Sequence, residues 1–255
     1  MKPYPIFTIA TVTWNAGQTV GRTLHSVEEQ TYHGVEHLII DGCSSDDTMQ
    51  EIQRYVERNA DRTTEHTVRL VREPDNGLYD AMNKGCALAT GEVTGILNSD
   101  DWYEEGCLAA VDEAFKRTDF DVFYADLRMV EIKPDGSEAP LFIKKARNRS
   151  YMTSRDWNHP TTFIRTELYR TYRYRTETLH DDYDLILRLK RAGARFETEN
   201  KVLADFRMNG VSHKRNLKRA LISCRTKYRI YRENGYSPFY FFECFGVELA
   251  KLFIG

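Results

Sequence analysis

The chain is short of several features that would place it in other classes. Its five cysteines, at 43, 86, 107, 224 and 244, are odd in number and include no C-x-x-C pair. That argues against a disulfide framework or a zinc site and fits reduced thiols in a cytosol. No window supplies the ~18 uncharged apolar residues of a membrane-spanning helix. The start, Met1-Lys-Pro-Tyr-Pro5, has no apolar signal core, so a cytoplasmic protein is expected. There is no basic surplus: 36 Lys and Arg against 38 Asp and Glu give a net charge of -2, which argues against nucleic acid as a partner. No internal repeat or low-complexity stretch interrupts the pattern.

What is present suits one sizeable α/β domain with an appendage: 255 residues, 41% of them hydrophobic. The first half alternates strand and helix. Ile6 to Trp14 is rich in β-branched and aromatic residues, Val20, Leu24 and Val27 recur at helical spacing, and Glu36 to Ile40 is a second strand. Ser44-Ser-Asp-Asp47 opens a helix. Arg69 to Arg72, Val93 to Leu97 and Val122 to Ala125 continue the strands, with helices from Leu78 and from about Glu104 between them. Beyond residue 125 the spacing predicts a hairpin turning at Pro134-Asp-Gly136, a strand near Thr161 to Ile164 and a helix from Asp182 to Ala192. A β-α-β-α order implies a largely parallel sheet with helices on both faces, and such sheets bind ligands beyond the carboxyl ends of their strands. That edge would carry Trp14-Asn15, Asp41 and Asp100-Asp101.

Each candidate residue has a plain reading beside the chemical one. Asp100-Asp101 could cap the following helix; as paired carboxylates they could also hold a hard divalent cation, Mn2+ or Mg2+. Asp41 could close a turn or accept the N–H of a uracil-like base. His159-Pro160 could be a turn only. Of the three carboxylates Asp181, Asp182 and Asp184, the helix dipole explains one or two. The third suggests a general base for an incoming hydroxyl.

Eight segments occur in a familiar order: Thr11-Val-Thr-Trp-Asn15, Ile40-Asp-Gly-Cys-Ser-Ser-Asp46, Glu73-Pro-Asp-Asn-Gly-Leu-Tyr-Asp-Ala-Met-Asn-Lys-Gly85, Ala89-Thr-Gly-Glu92, Leu97-Asn-Ser-Asp-Asp101, His159-Pro-Thr-Thr-Phe163, Asp182-Tyr-Asp-Leu-Ile-Leu-Arg188 and Phe206-Arg-Met-Asn-Gly-Val-Ser212. Over residues 6 to 212 the chain resembles the family 2 inverting glycosyltransferases of GT-A fold. Its nearest likeness is to the bacterial branch that assembles O-antigen, capsule and exopolysaccharide. The resemblance implies a nucleotide-sugar donor, most naturally UDP-linked, and a metal. Thr13 and Trp14 would flank the base, Asp41 would bond its edge, and Asp75 and Lys84 would line the donor pocket. Asp100 would touch ribose or metal, Asp101 would bind the metal, and His213 would complete its shell. Asp182, or its neighbour Asp181, would be the catalytic base, with His159 near a glycan acceptor, one carried on a lipid. The chain has Asn98 where many relatives have Asp, and Asp181-Asp182 where they have Glu-Asp. The resemblance also implies residues 1–212 as the transferase domain, with a nucleotide half to about 125 and an acceptor half beyond it. Two other readings compete. A sugar-phosphate nucleotidyltransferase would need a glycine-rich phosphate loop, yet Trp14-Asn-Ala-Gly-Gln-Thr19 has one glycine; the same lack of G-x-G-x-x-G argues against a dehydrogenase. A catalytically inactive scaffold would not need the retained carboxylates.

The segment from 213 differs in charge from the body. Between His213 and Gly235 stand eight Lys and Arg and one acid, against 28 basic and 37 acidic residues elsewhere. Leu217, Ala220, Leu221, Cys224, Tyr228 and Tyr231 form an apolar stripe at helical spacing, followed by an aromatic-rich tail. This is the pattern of a helix lying on an anionic membrane surface, peripheral to the inner face of the cell membrane. Packing on the body or on a second subunit, as a homodimer, is the alternative.

Overall fold

The computed structural model describes residues 7–60, 66–208 and 217–253; at 251–253 it describes the backbone only. Strands β1 (Phe7–Thr13), β2 (Val35–Asp41) and β4 (Val93–Asn98) run parallel, with β3 (His66–Arg72) on the outer edge. β1 and β2 are buried at every position, as parallel strands covered on both faces must be. The helices that cover them are α1 (Val20–Glu28), α2 (Thr48–Asn59) and α3 (Leu78–Leu88). The edge strand β3 mixes buried, half-buried and exposed residues instead.

The later half is more mixed than the spacing implies. β6 (Val122–Ile132) forms the expected hairpin with β7 (Glu138–Lys144), with a bulge between Met129 and Val130. β8 (Phe163–Arg165) sits antiparallel between β4 and β6. The long strand β9 (Phe196–Arg207) runs parallel to β6, and β5 (Trp102–Tyr103) closes the order β3-β2-β1-β4-β8-β6-β9-β5. Neither β5 nor β9 is legible from periodicity: β5 is two residues long, and β9 spends its charged first half on partly exposed positions.

Four more helices complete the order after α4 (Cys107–Thr118): α5 (Thr166–Tyr172), α6 (Asp181–Arg191), α7 (Leu217–Glu233) and α8 (Tyr240–Phe253). α6 is buried almost all round, with Tyr183, Leu185, Ile186, Leu187 and Leu189 all inside. The reason is that α7 and α8 pack over it: Cys224, Ile230, Tyr231, Tyr240 and Cys244 belong to the same apolar core. Tyr231 meets Tyr183 edge to face at 5.7 Å, and Asn234 Nδ2 donates to Asp184 at 2.8 Å. The apolar stripe of α7 therefore divides. Cys224 and Tyr231 pack on the body, while Leu217 and Leu221 stay exposed.

Candidate active site

The carboxyl ends of β1, β2 and β4 meet in register: Thr13 opposite Asp41, Val12 opposite Asn98. Two loops leaving this edge are tied together by side chains. Asn15 takes a positive φ of 49°, its N–H donates to Ser44 Oγ at 2.9 Å, and its Oδ1 accepts the N–H of Ser45 at 2.9 Å. Asp46 accepts the N–H of Gly17 at 3.1 Å and of Thr48 at 3.0 Å. The hydroxyl and carboxylate run at 44–47 thus serves loop-to-loop bonding as well as the opening of α2. Its effect is to hold Trp14 out at the edge, 68% exposed.

Asp41 is fully buried. It accepts the Ser44 N–H at 3.0 Å and stands 3.4 Å from Arg72 Nε. Asp75 comes from the turn before α3 and lies over Gly42. A Cβ at Gly42 would collide with Asp75 Oδ2 and meet Trp14 Cδ1 at 3.5 Å, so glycine is what lets these two side chains close on the Asp41 turn. Lys84 is turned to its own neighbourhood: it donates to Pro74 O and pairs with Glu73 at 3.2 Å and Asp80 at 3.5 Å. It braces the loop that carries Asp75.

Asp100 and Asp101 follow β4 directly. Neither caps α4, which begins at Cys107 behind Gly106. Asp101 is 0% exposed; its Oδ1 accepts the Arg207 N–H at 3.3 Å, while its Oδ2 has no partner. Thr13 Oγ1, Asn98 Oδ1 and Arg207 Nε are also buried without a partner. Burial pushes the Asp101 carboxyl well above its ordinary range, and the neighbouring Asp100 charge adds to the shift. Burial raises Asp100 too, partly offset by its own backbone N–H and by Arg207. Desolvated carboxylates with an orphaned oxygen are costly to leave alone and are the donor set a hard cation prefers. Among the described residues no group of three or more His, Cys, Asp and Glu surrounds a metal position. Two carboxylates alone would hold a cation only if it took its other oxygens from a bound ligand. His213, the other expected ligand, lies outside the described residues.

The α6 carboxylates divide their work. Asp181 is buried and engaged at both oxygens, accepting the Glu177 and Thr178 N–H groups and the Thr178 hydroxyl. Asp184 is buried and engaged by Arg188 Nε at 2.7 Å and Asn234 Nδ2 at 2.8 Å. Asp182 accepts only its neighbour Tyr183's N–H among the main-chain groups, and it lines a cleft of about 320 Å³. In the same cleft are His159, Trp157, Phe206, Lys227 and Val247. Burial pushes His159 below its ordinary value and the Asp182 charge opposes that shift, so the imidazole is neutral at pH 7. The carbonyl of His159 also closes a turn to the Thr162 N–H at 2.9 Å. Trp157 Nε1 is buried with no partner.

Three further places in the chain link the edge and the cleft and carry no assignment from the sequence. Tyr79 lies at the start of α3, just after the Asp75 turn. Burial raises its hydroxyl far above the ordinary value, and the adjacent Asp182 charge raises it further. On β9, Phe206 faces the cleft while Arg207 backs the Asp100-Asp101 pair. Trp157 lines the cleft from the loop before β8. Tyr79 and Phe206-Arg207 sit inside recognisable motifs, so the motifs themselves were the available signal. Trp157 had none.

Comparison with known proteins bears on the family and the fold. The glycosyl transferase family 2 profile matches residues 8–178. A PGL/p-HBAD biosynthesis glycosyltransferase of Mycobacterium bovis is 34% identical over 128 residues, 49% of this chain and 48% of that protein. A putative colanic acid biosynthesis glycosyl transferase, WcaA of Escherichia coli, is 25% identical over 193 residues, 74% of this chain and 67% of that one. The first of these relatives is matched over only about half of its length. Among solved structures, Staphylococcus aureus TarS 1–349 in complex with UDP-GlcNAc superposes with a TM-score of 0.63 at 17% identity, over 97% of this chain and 72% of that one. The mannosyltransferase PcManGT of Pyrobaculum calidifontis, in complex with GDP-Man and Mn2+, gives 0.69 at 16% identity, over 98% and 75%. The mixed sheet flanked by helices is the GT-A architecture. The chain belongs to glycosyl transferase family 2.

Proposed function

From that membership, we propose that the protein moves a glycosyl group from a nucleotide sugar, UDP-linked, to an acceptor hydroxyl with inversion. The observation that carries the reading is the pairing of an edge with unmet oxygen chemistry, at Thr13, Asn98 and Asp101, with a cleft lined by the one α6 carboxylate of the three that faces it, Asp182, which is steadied by the Tyr183 N–H and the Tyr79 hydroxyl. Trp14, Thr13 and Asp41 receive the base, and the Asp75 turn, braced by Lys84, covers the donor. On this reading residues 1–125 hold the donor, and 126–212 hold the acceptor together with Lys227 and Val247. Asp100 and Asp101 would hold Mn2+ or Mg2+, which supplies positive charge to the nucleotide diphosphate as it leaves.

The acceptor hydroxyl enters beside Asp182. As its oxygen attacks the anomeric carbon, the proton passes to the Asp182 carboxylate, and the bond from that carbon to the nucleotide oxygen breaks on the opposite face. A single displacement inverts the centre. Asp181 does not share this task, because both its oxygens are spent on the 177–178 turn. Neutral His159 keeps a second positive charge away from the base and offers a ring nitrogen to the acceptor. The likeness to WcaA, named for colanic acid biosynthesis, is the support for an acceptor glycan of bacterial surface polysaccharide; its being carried on a lipid, as in O-antigen assembly, follows from the sequence resemblance alone.

A panel of UDP-, GDP- and dTDP-sugars tests this by metal-dependent thermal shift and hydrolysis. UDP-sugars are expected to stabilise the protein with Mn2+ present. Stabilisation by none of the three nucleotides would remove the donor assignment.

A further inference from the structure

The α7–α8 hairpin has two faces with different tasks. Its inner face completes the acceptor cleft: Lys227 and Val247 line it with Asp182, and Lys227 is held there by a buried ion pair to Glu248 at 2.7 Å. Its outer face is apolar and open. Phe239 is 73% exposed, Phe242 70% and Leu217 63%, with Leu221, Ile222 and Phe245 also exposed. Tyr231 packs on Tyr240, Tyr228 on Phe241 and Lys227 on Glu248, so the helices run antiparallel, bringing the start of α7 alongside the end of α8. Phe242 and Phe245 follow i, i+3 spacing and share one side of α8.

The charge around this face is mostly positive, although Arg229 already pairs with Glu177 and Glu233 at 3.7 Å. Lys218, Arg219, Arg225, Arg229 and Arg232 are exposed; among the described exposed residues of the two helices only Glu233 is acidic. The sequence adds Lys214 and Arg215 just before α7. A twofold pairing of this face with a second copy would bring two like-charged sets of cations together, and that repulsion opposes the burial of the phenylalanines. An anionic surface instead gains from every one of the same charges.

We propose that this face docks on an anionic lipid bilayer, with the phenylalanines of α8 entering the headgroup region and α7's cations meeting lipid phosphates. Docking sets the cleft, through Lys227 and Val247, at the height where a lipid-carried acceptor presents its hydroxyl; that last clause rests on the transferase reading, whereas the docking itself does not. No helix among the described residues is long and apolar enough to cross a membrane.

The test is flotation of the full chain with vesicles of phosphatidylcholine alone and with about 30% phosphatidylglycerol added. Binding is expected with the anionic vesicles, weak without them and reversed by salt. The double variant F242D/F245D should lower the partition coefficient about tenfold or more, and K218E/R225E should remove its salt dependence. Both variants change exposed positions, so thermal midpoint and UDP binding with Mn2+ should stay as in the parent. Absence of binding to anionic vesicles, or equal binding by parent and variants, would overturn the proposal. So would a dimer, seen by sedimentation, that F242D/F245D dissociates while vesicles bind nothing. Loss of UDP binding with intact flotation would remove the catalytic reading alone.

Discussion

At the end of β4, Asp101 is buried with one oxygen that no donor reaches, and Asp100 stands beside it. At the start of α6, Asp181 and Asp184 are equally buried and every one of their oxygens is met by a donor. Both places concentrate acid, yet the first leaves an oxygen unmet, whereas the second hydrogen-bonds Asp181 within its own turn and pairs Asp184 with Arg188. An edge of the first kind would suit a hard cation. In the second, Asp182 is the carboxylate of the three that lines the cleft, where an acceptor hydroxyl could reach it. The contrast explains how one chain can gather three acids in four residues without confusing their roles.

The largest expected effect strikes the cleft. D182N keeps shape and removes the proton acceptor, so transfer should fall by about 10³-fold. Calorimetric UDP binding with Mn2+ should remain as in the parent. A surviving transfer rate would move the base elsewhere and erase the contrast. D181N should behave differently: it unseats the 177–178 turn, so it should lower the thermal midpoint along with the rate.

Next comes the edge. D101N should weaken metal-dependent UDP binding by about 10²-fold, since a hard cation loses one of two carboxylates. Weaker still, G42A forces Asp75 away from the Asp41 turn and should cost about tenfold in UDP affinity, with an unchanged circular dichroism spectrum. Unaltered affinity would detach Asp75 from the donor.

The smallest effect concerns stability. His37 lies buried between Thr11 Oγ1 at 2.9 Å and the Tyr55 hydroxyl at 2.6 Å. Burial, then the charge of His66, holds it well below 6.5. Above 6.5 the folded and unfolded chains both carry it neutral, and it costs nothing. Below 6.5 the unfolded chain takes a proton the folded chain refuses, so stability falls with pH by up to about 1.4 kcal/mol per unit. Urea titrations at pH 7.5 and 5.5 should show this loss, and H37Q should reduce it.

The parallel half was legible because its strands are buried on both faces and its helices keep a 3.6 period, as Val20, Leu24 and Val27 do. The acceptor half resisted reading where burial and periodicity part company. α6 is apolar on successive residues because α7 and α8 cover it, and the two-residue β5 has no period at all. For the site, the edge carboxylates and Asp182 stand in motifs whose order betrays them. The distinction between Asp181, Asp182 and Asp184 is not plain in the sequence: Thr178 and Arg188 are near neighbours, but Asn234 reaches Asp184 from α7's end, 50 residues away. Trp157 has no such motif, because an orphaned N–H has meaning only once burial is known.

The central claim is that the β4 edge is a cation-dependent nucleotide site distinct from the Asp182 cleft. Calorimetric titration of UDP, with and without Mn2+, into the parent, D101N and D182N tests it directly. The account requires Mn2+ to strengthen UDP binding in the parent and in D182N alike, and to lose that effect in D101N. UDP binding that ignores Mn2+ in all three proteins would contradict it.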